Sequence, residues 1–134
     1  LRLLLVEDEP FIALDLEMLS TSAGHEVVGV ADSLETALAL ARSAAPEAAL
    51  VDINLRDGFS GVQVSRALAG EVRIGFVTGN AEQIPADFAG ALAVLEKPFT
   101  QAGVEEMLGI LQSACDGDDA PASEPRYARM AGDI

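Results

Sequence analysis

The chain has few of the residues that build cross-linked, metal-clustered or nucleic-acid-binding proteins. It has one cysteine, one histidine, one tyrosine, no tryptophan, and 8 Lys and Arg side chains against 22 Asp and Glu. A lone cysteine, Cys115, excludes an internal disulfide framework and a cysteine-based zinc cluster, and it fits a reducing, intracellular setting. A net charge of −14 opposes any surface that must approach phosphate backbones, so no direct DNA or RNA binding is expected. No apolar run approaches the roughly 20 residues that span a bilayer, and no signal-peptide pattern opens the chain. The expectation is a cytoplasmic protein with no membrane partner. The first residue is Leu1 rather than Met, which leaves an upstream segment open.

What is present is a core. Half of the 134 residues are hydrophobic, enough for one buried domain. Short apolar runs recur at Leu3–Val6, Val27–Val30, Ala48–Val51, Ile74–Val77 and Ala91–Leu95. Each is nearly uniformly apolar, which reads as a strand covered on both faces and therefore as a parallel sheet. Between them lie stretches of helical period. The first, Phe11 to Ala23, has Pro10 suited to its opening position and Gly24 to its stop. Ser33 can cap a helix to Ala45, Gly61 to Ala69 is a shorter one, and Thr100 can cap the last, with Val104, Leu108 and Leu111 on one face. Ala81 to Gly90 is bracketed by Pro85 and Gly90 and is expected to be a short, mobile fourth helix. The domain is expected to occupy residues 1–115. Residues 116–134 read as an acidic, disordered tail, or as an extra helix through Tyr127 and Met130.

Strands alternating with helices predict an open, doubly wound α/β domain, whose ligands bind outside the carboxyl ends of the strands. The residues following each strand are therefore the candidates. They are Glu7 and Asp8 after the first, Asp52 with Asn54 after the third, Thr78 after the fourth, and Lys97 after the fifth. Converging carboxylates need a cation, and hard oxygen ligands in a half-open site suit Mg²⁺. Lys97, the sole lysine, and the Thr78 hydroxyl can hold phosphoryl oxygens. Together these parts make a phosphoryl-transfer site. Asp52 is the nucleophile, and Glu7, Asp8, Asp52 and the Asn54 backbone carbonyl are the metal ligands. A cis peptide before Pro98 is expected to aim Lys97 inward. Glu9 reads as a helix N-terminal charge, His25 as structural or exposed, and Cys115 as inert. Phe59 is the aromatic to watch near the site.

Four motifs carry a resemblance: Val6-Glu7-Asp8-Glu9-Pro10, Val51-Asp52-Ile53-Asn54-Leu55, Phe76-Val77-Thr78-Gly79 and Lys97-Pro98-Phe99. In this order and spacing the chain resembles the receiver domain of two-component response regulators, and within that family the stand-alone receivers of alphaproteobacteria. The resemblance implies a flavodoxin-like sheet of order 2-1-3-4-5, phosphorylation of Asp52 by a histidine kinase or histidine phosphotransferase, Mg²⁺ dependence, and slow self-catalysed dephosphorylation without turnover of an external substrate. Many receivers carry an aromatic three residues before the lysine. Here that position is Val94, so output is expected to travel through Ala81–Gly90. The alternatives are a haloacid-dehalogenase-like phosphatase, a receiver excised from a longer regulator, and a degenerate receiver that only binds partners.

Overall fold

The computed structural model describes residues 1–58 and 60–117 and the backbone of Arg126–Tyr127. The described strands are β1 (Arg2–Val6), β2 (Glu26–Ala31), β3 (Ala48–Val51), β4 (Arg73–Thr78), β5 (Ala93–Glu96) and β6 (Arg126–Tyr127). The helices are α1 (Pro10–Ser22), α2 (Leu34–Ala44), α3 (Ser60–Leu68) and α4 (Gln101–Cys115). The sheet order is β2-β1-β3-β4-β5-β6, and every pairing is parallel. The first five strands thus follow the expected order. Among the described residues, no helix is long and apolar enough to cross a membrane.

Alternation along each strand splits the core into two layers. Leu4, Val6, Ala49, Val51, Ile74, Phe76 and Val94 face one side, where Ala37 of α2 and Val64 and Leu68 of α3 cover them. Leu3, Leu5, Ala48, Leu50, Val77, Ala93 and Leu95 face the other, against Leu16 of α1 and Val104, Met107, Leu108 and Leu111 of α4. Both faces are dry, which is why the strands read as unbroken apolar runs.

Local chemistry sets the helix ends. Pro10 occupies the first turn of α1, where a missing amide donor costs nothing. Ser33 and Thr36 form a reciprocal capping box on α2, and the Thr100 hydroxyl accepts the Gly103 amide at the start of α4. One expectation fails. Ala81–Gly90 holds no α-helix but two single 3-10 turns, Ala81–Gln83 and Phe88–Gly90, joined through Pro85. Pro85, in the middle of the segment, lacks an amide donor and its ring would clash with the preceding helical turn, so no helix runs through it. Side chains hold the segment instead. The Ser65 hydroxyl donates to the Ala89 carbonyl at 2.8 Å, and Arg66 grips Asp87 through two hydrogen bonds at 2.8 and 3.1 Å. Apart from Asp116, Gly117 and β6, the expected tail over 116–134 lies outside the described residues. Tyr127 falls in β6 rather than in the alternative helix, while Met130 and Phe59 lie outside the described residues.

Candidate functional site

The parallel sheet brings four strand ends to one rim, and backbone bonds fix their order. The Glu7 amide donates to the Ala31 carbonyl at 2.8 Å, and the Asp52 amide to the Val6 carbonyl at 2.9 Å, so Glu7 and Asp52 become neighbours. The Lys97 amide donates to the Thr78 carbonyl at 2.9 Å, which ties the fourth and fifth strand ends together. The Lys97–Pro98 peptide is cis.

At the centre, the Lys97 ammonium lies 2.7 Å from Glu7 Oε1 and 2.9 Å from Asp52 Oδ2. These side chains are 90 and 45 residues from Lys97 in sequence, so only the fold joins them. Asp52 Oδ1 accepts the Asn54 amide at 3.1 Å, and Glu7 Oε2 accepts the Glu9 amide at 3.1 Å. Glu7 and Asp52 are buried. Carboxylate oxygens of Glu7, Asp8 and Asp52 all lie within 4.8 Å of one another, with Asp8 the least buried of the three. Three hard oxygen donors on one open rim match what Mg²⁺ takes from a protein when water and phosphate complete its shell.

Burial has electrical consequences. It lifts the Glu7 carboxyl from 4.5 to about 7; the Lys97 hydrogen bond pulls it down and the Asp52 charge adds to the rise. For Lys97, burial favours loss of the proton, but the hydrogen bonds to Glu7 and Asp52 outweigh it and the ammonium is held above its ordinary range. The triad is therefore a cation clamped between two carboxylates. This constellation can present the Asp52 carboxylate to an electrophile and compensate added negative charge.

Thr78 is fully buried at the end of β4, and its hydroxyl accepts the Asn80 amide at 3.0 Å. Asn54 stands at the rim, where its side-chain amide reaches Gln83 at 3.0 Å. Glu9 is the residue preceding α1 and makes no side-chain cap. His25 lies in the α1–β2 turn, its amide bonded to the Ser20 carbonyl, away from the rim. Sequence reasoning missed Gly61. A Cβ there would stand 2.0 Å from the Asp52 carbonyl oxygen and 2.6 Å from Ile53 Cα, so only glycine lets α3 start against the backbone of Asp52 and Ile53. The available signal was a glycine nine positions after a strand-end aspartate. Gln83 was also missed, and its bond to Asn54 crosses 29 residues that no local pattern spans.

The family model for the response regulator receiver domain matches residues 3–109. The chain belongs to the receiver-domain family. The receiver is 36% identical over 111 residues to the phyllosphere-induced regulator PhyR of Methylorubrum extorquens, covering 80% of this chain and 42% of that protein. It is 32% identical over 103 residues to the transcriptional regulatory protein PdtaR of Mycobacterium tuberculosis, covering 74% and 50%. Among solved structures, the response regulator PhyR of Brucella abortus superposes with a TM-score of 0.74 at 31% identity, covering 88% of this chain and 53% of that one. The PhyR receiver domain of Erythrobacter litoralis gives 0.76 at 29% identity, covering 90% and 94%. The receiver thus spans half or less of the length of the curated relatives it matches. The family match gives the haloacid-dehalogenase-like alternative no support.

Proposed function

We propose that this receiver accepts a phosphoryl group on Asp52 from a phosphohistidine of a histidine kinase or histidine phosphotransferase. It then signals by protein contact or drains phosphoryl groups as a sink. One observation carries the reading: the Asp52 carboxylate sits beside Glu7 and Asp8 with the Lys97 ammonium 2.9 Å from its Oδ2. A carboxylate oxygen of Asp52 attacks phosphorus and forms an acyl phosphate as the phosphorus–nitrogen bond of the donor breaks. The imidazole leaves with the bonding pair and takes a proton from solvent. Lys97 then moves from carboxylate to phosphoryl oxygen, and the Thr78 hydroxyl offers a second donor.

Glu7, Asp8, Asp52 and the Asn54 carbonyl would hold Mg²⁺. The ion supplies neutralisation of the equatorial phosphoryl oxygens. No external substrate is turned over, and the acyl phosphate is lost by slow self-catalysed hydrolysis in the cytoplasm.

The docking surface for the donor is the rim-side face of α1. Phe11, Leu14 and Met18 are 85%, 53% and 60% exposed there, at one-face helical spacing. Large apolar side chains left in water beside a site are what a helical partner covers. Output runs from Asn54 through Gln83 into the two turns of 81–90, the segment expected to carry it in the absence of an aromatic at Val94.

Intact-mass measurement after incubation with a small phosphodonor and Mg²⁺ tests the chemistry. One phosphoryl adduct is expected on the wild type and none on Asp52→Asn. Equal labelling of both proteins would overturn the mechanism.

A further inference from the structure

Beyond the phosphoacceptor rim, the sheet carries a strand that the first five do not require. In β6, Arg126 and Tyr127 pair in parallel with Ala93 and Val94 of β5. Strand β5, helix α4 and strand β6 therefore form one more parallel crossover, with α4 as the connecting helix.

The edge it covers is an apolar one. Ala93, Val94 and Leu95 are each 0% exposed, whereas β2 at the opposite edge begins on exposed Glu26 and carries Val30 at 45% exposure. A short edge that is apolar up to its last residue, Glu96, is the kind that pairs with another chain unless something covers it. On the β4 side, the pairs from Gly75–Ala93 to Thr78–Glu96 run in unbroken register, and the Lys97 amide donates to the Thr78 carbonyl at 2.9 Å. Alternation along a parallel strand then turns the peptide groups of Ala93 and Leu95 toward β4 and that of Val94 outward, toward β6.

We propose that the outer edge of β5 is a strand-docking surface whose occupant is the chain's own C-terminal segment. Arg126–Tyr127 thereby guards the sheet edge leading into Lys97 against pairing with a second copy. Only eight residues, 118–125, separate Gly117 from Arg126, and they include Pro121 and Pro125 but no bulky apolar side chain. A tether that short gives the segment an effective concentration on the order of millimolar at β5, far above any second copy at micromolar protein. The cover is also thin: with two residue pairs it opens more readily than the strands within the core.

The test uses the full chain carrying Arg126→Pro and Tyr127→Pro, which removes the β6 amide that donates to β5. Amide exchange is followed by NMR at Val94, facing the covered edge, and at Leu95, facing β4. Molar mass is followed by light scattering from micromolar to millimolar protein. In the variant, Val94 is expected to exchange roughly tenfold faster with Leu95 unchanged. Its mass is expected to climb toward a dimer while the wild type stays monomeric. Unchanged exchange at Val94, a variant that stays monomeric throughout, or a wild type that dimerises equally would each overturn the proposal.

Discussion

Replacing Glu7 with glutamine keeps the shape of the side chain and removes its proton equilibrium. In the folded protein that carboxyl titrates at about 7 rather than 4.5, chiefly because it is buried. The unfolded chain releases its proton near 4.5, so between pH 4.5 and 7 the folded state binds a proton that the unfolded state has lost. Stability from this group is full below 4.5, falls as pH rises through that window, and is level above 7. At 1.4 kcal/mol per tenfold the fall amounts to about 3 kcal/mol, a large fraction of what holds a domain this size together. Urea unfolding in the absence of metal, at pH 4.5 and pH 8, measures it. The wild type is expected to lose about 3 kcal/mol relative to Glu7→Gln between the two pH values, since titrations elsewhere in the protein cancel in the difference. Added Mg²⁺ acts in the opposite sense: its ligand must be ionised, so it stabilises the wild type more at pH 8 than at pH 5. A wild-type-to-variant difference that stays constant with pH would refute the account of Glu7.

Other substitutions probe the same rim and its supports. Lys97→Met removes the cation between two buried carboxylates and is expected to destabilise the metal-free protein at pH 8 by about 3 kcal/mol, with Mg²⁺ restoring part of the loss; denaturant midpoints with and without metal check it. Gly61→Ala forces α3 away from the Asp52 carbonyl, costing on the order of 1–3 kcal/mol and slowing labelling by a small phosphodonor; calorimetry and adduct kinetics report the two effects. Phe11→Ser with Met18→Ser should leave labelling by a small phosphodonor intact and cut transfer from a phosphorylated donor protein by roughly tenfold or more, read as the ratio of the two rates.

The fold was legible because both faces of the sheet are dry. Leu3–Val6 and Ala48–Val51 announce buried strands by composition alone, and strand β3 has those bounds. The site was legible for a related reason, since a parallel sheet collects strand ends and the residue types at Glu7, Asp52, Thr78 and Lys97 suit one chemistry. The connection over 81–90 was not, because its conformation is decided by Arg66 and Ser65 on α3, far away in sequence. Strand β6 was hidden in the same way. Two residues of an acidic tail carry no periodicity, and their pairing depends on an edge formed some 30 positions earlier.

The clamp on Lys97 also makes the protein its own reporter. This side chain carries the one ε-amino group among these 134 residues, 18% exposed and pinned as ammonium between two acids. An amine-directed reagent therefore meets one lysine and the α-amino group at Leu1, and peptide mapping separates the two. The lysine's reaction rate rises or falls with whatever replaces, shields or frees those two carboxylates, with no engineered probe required.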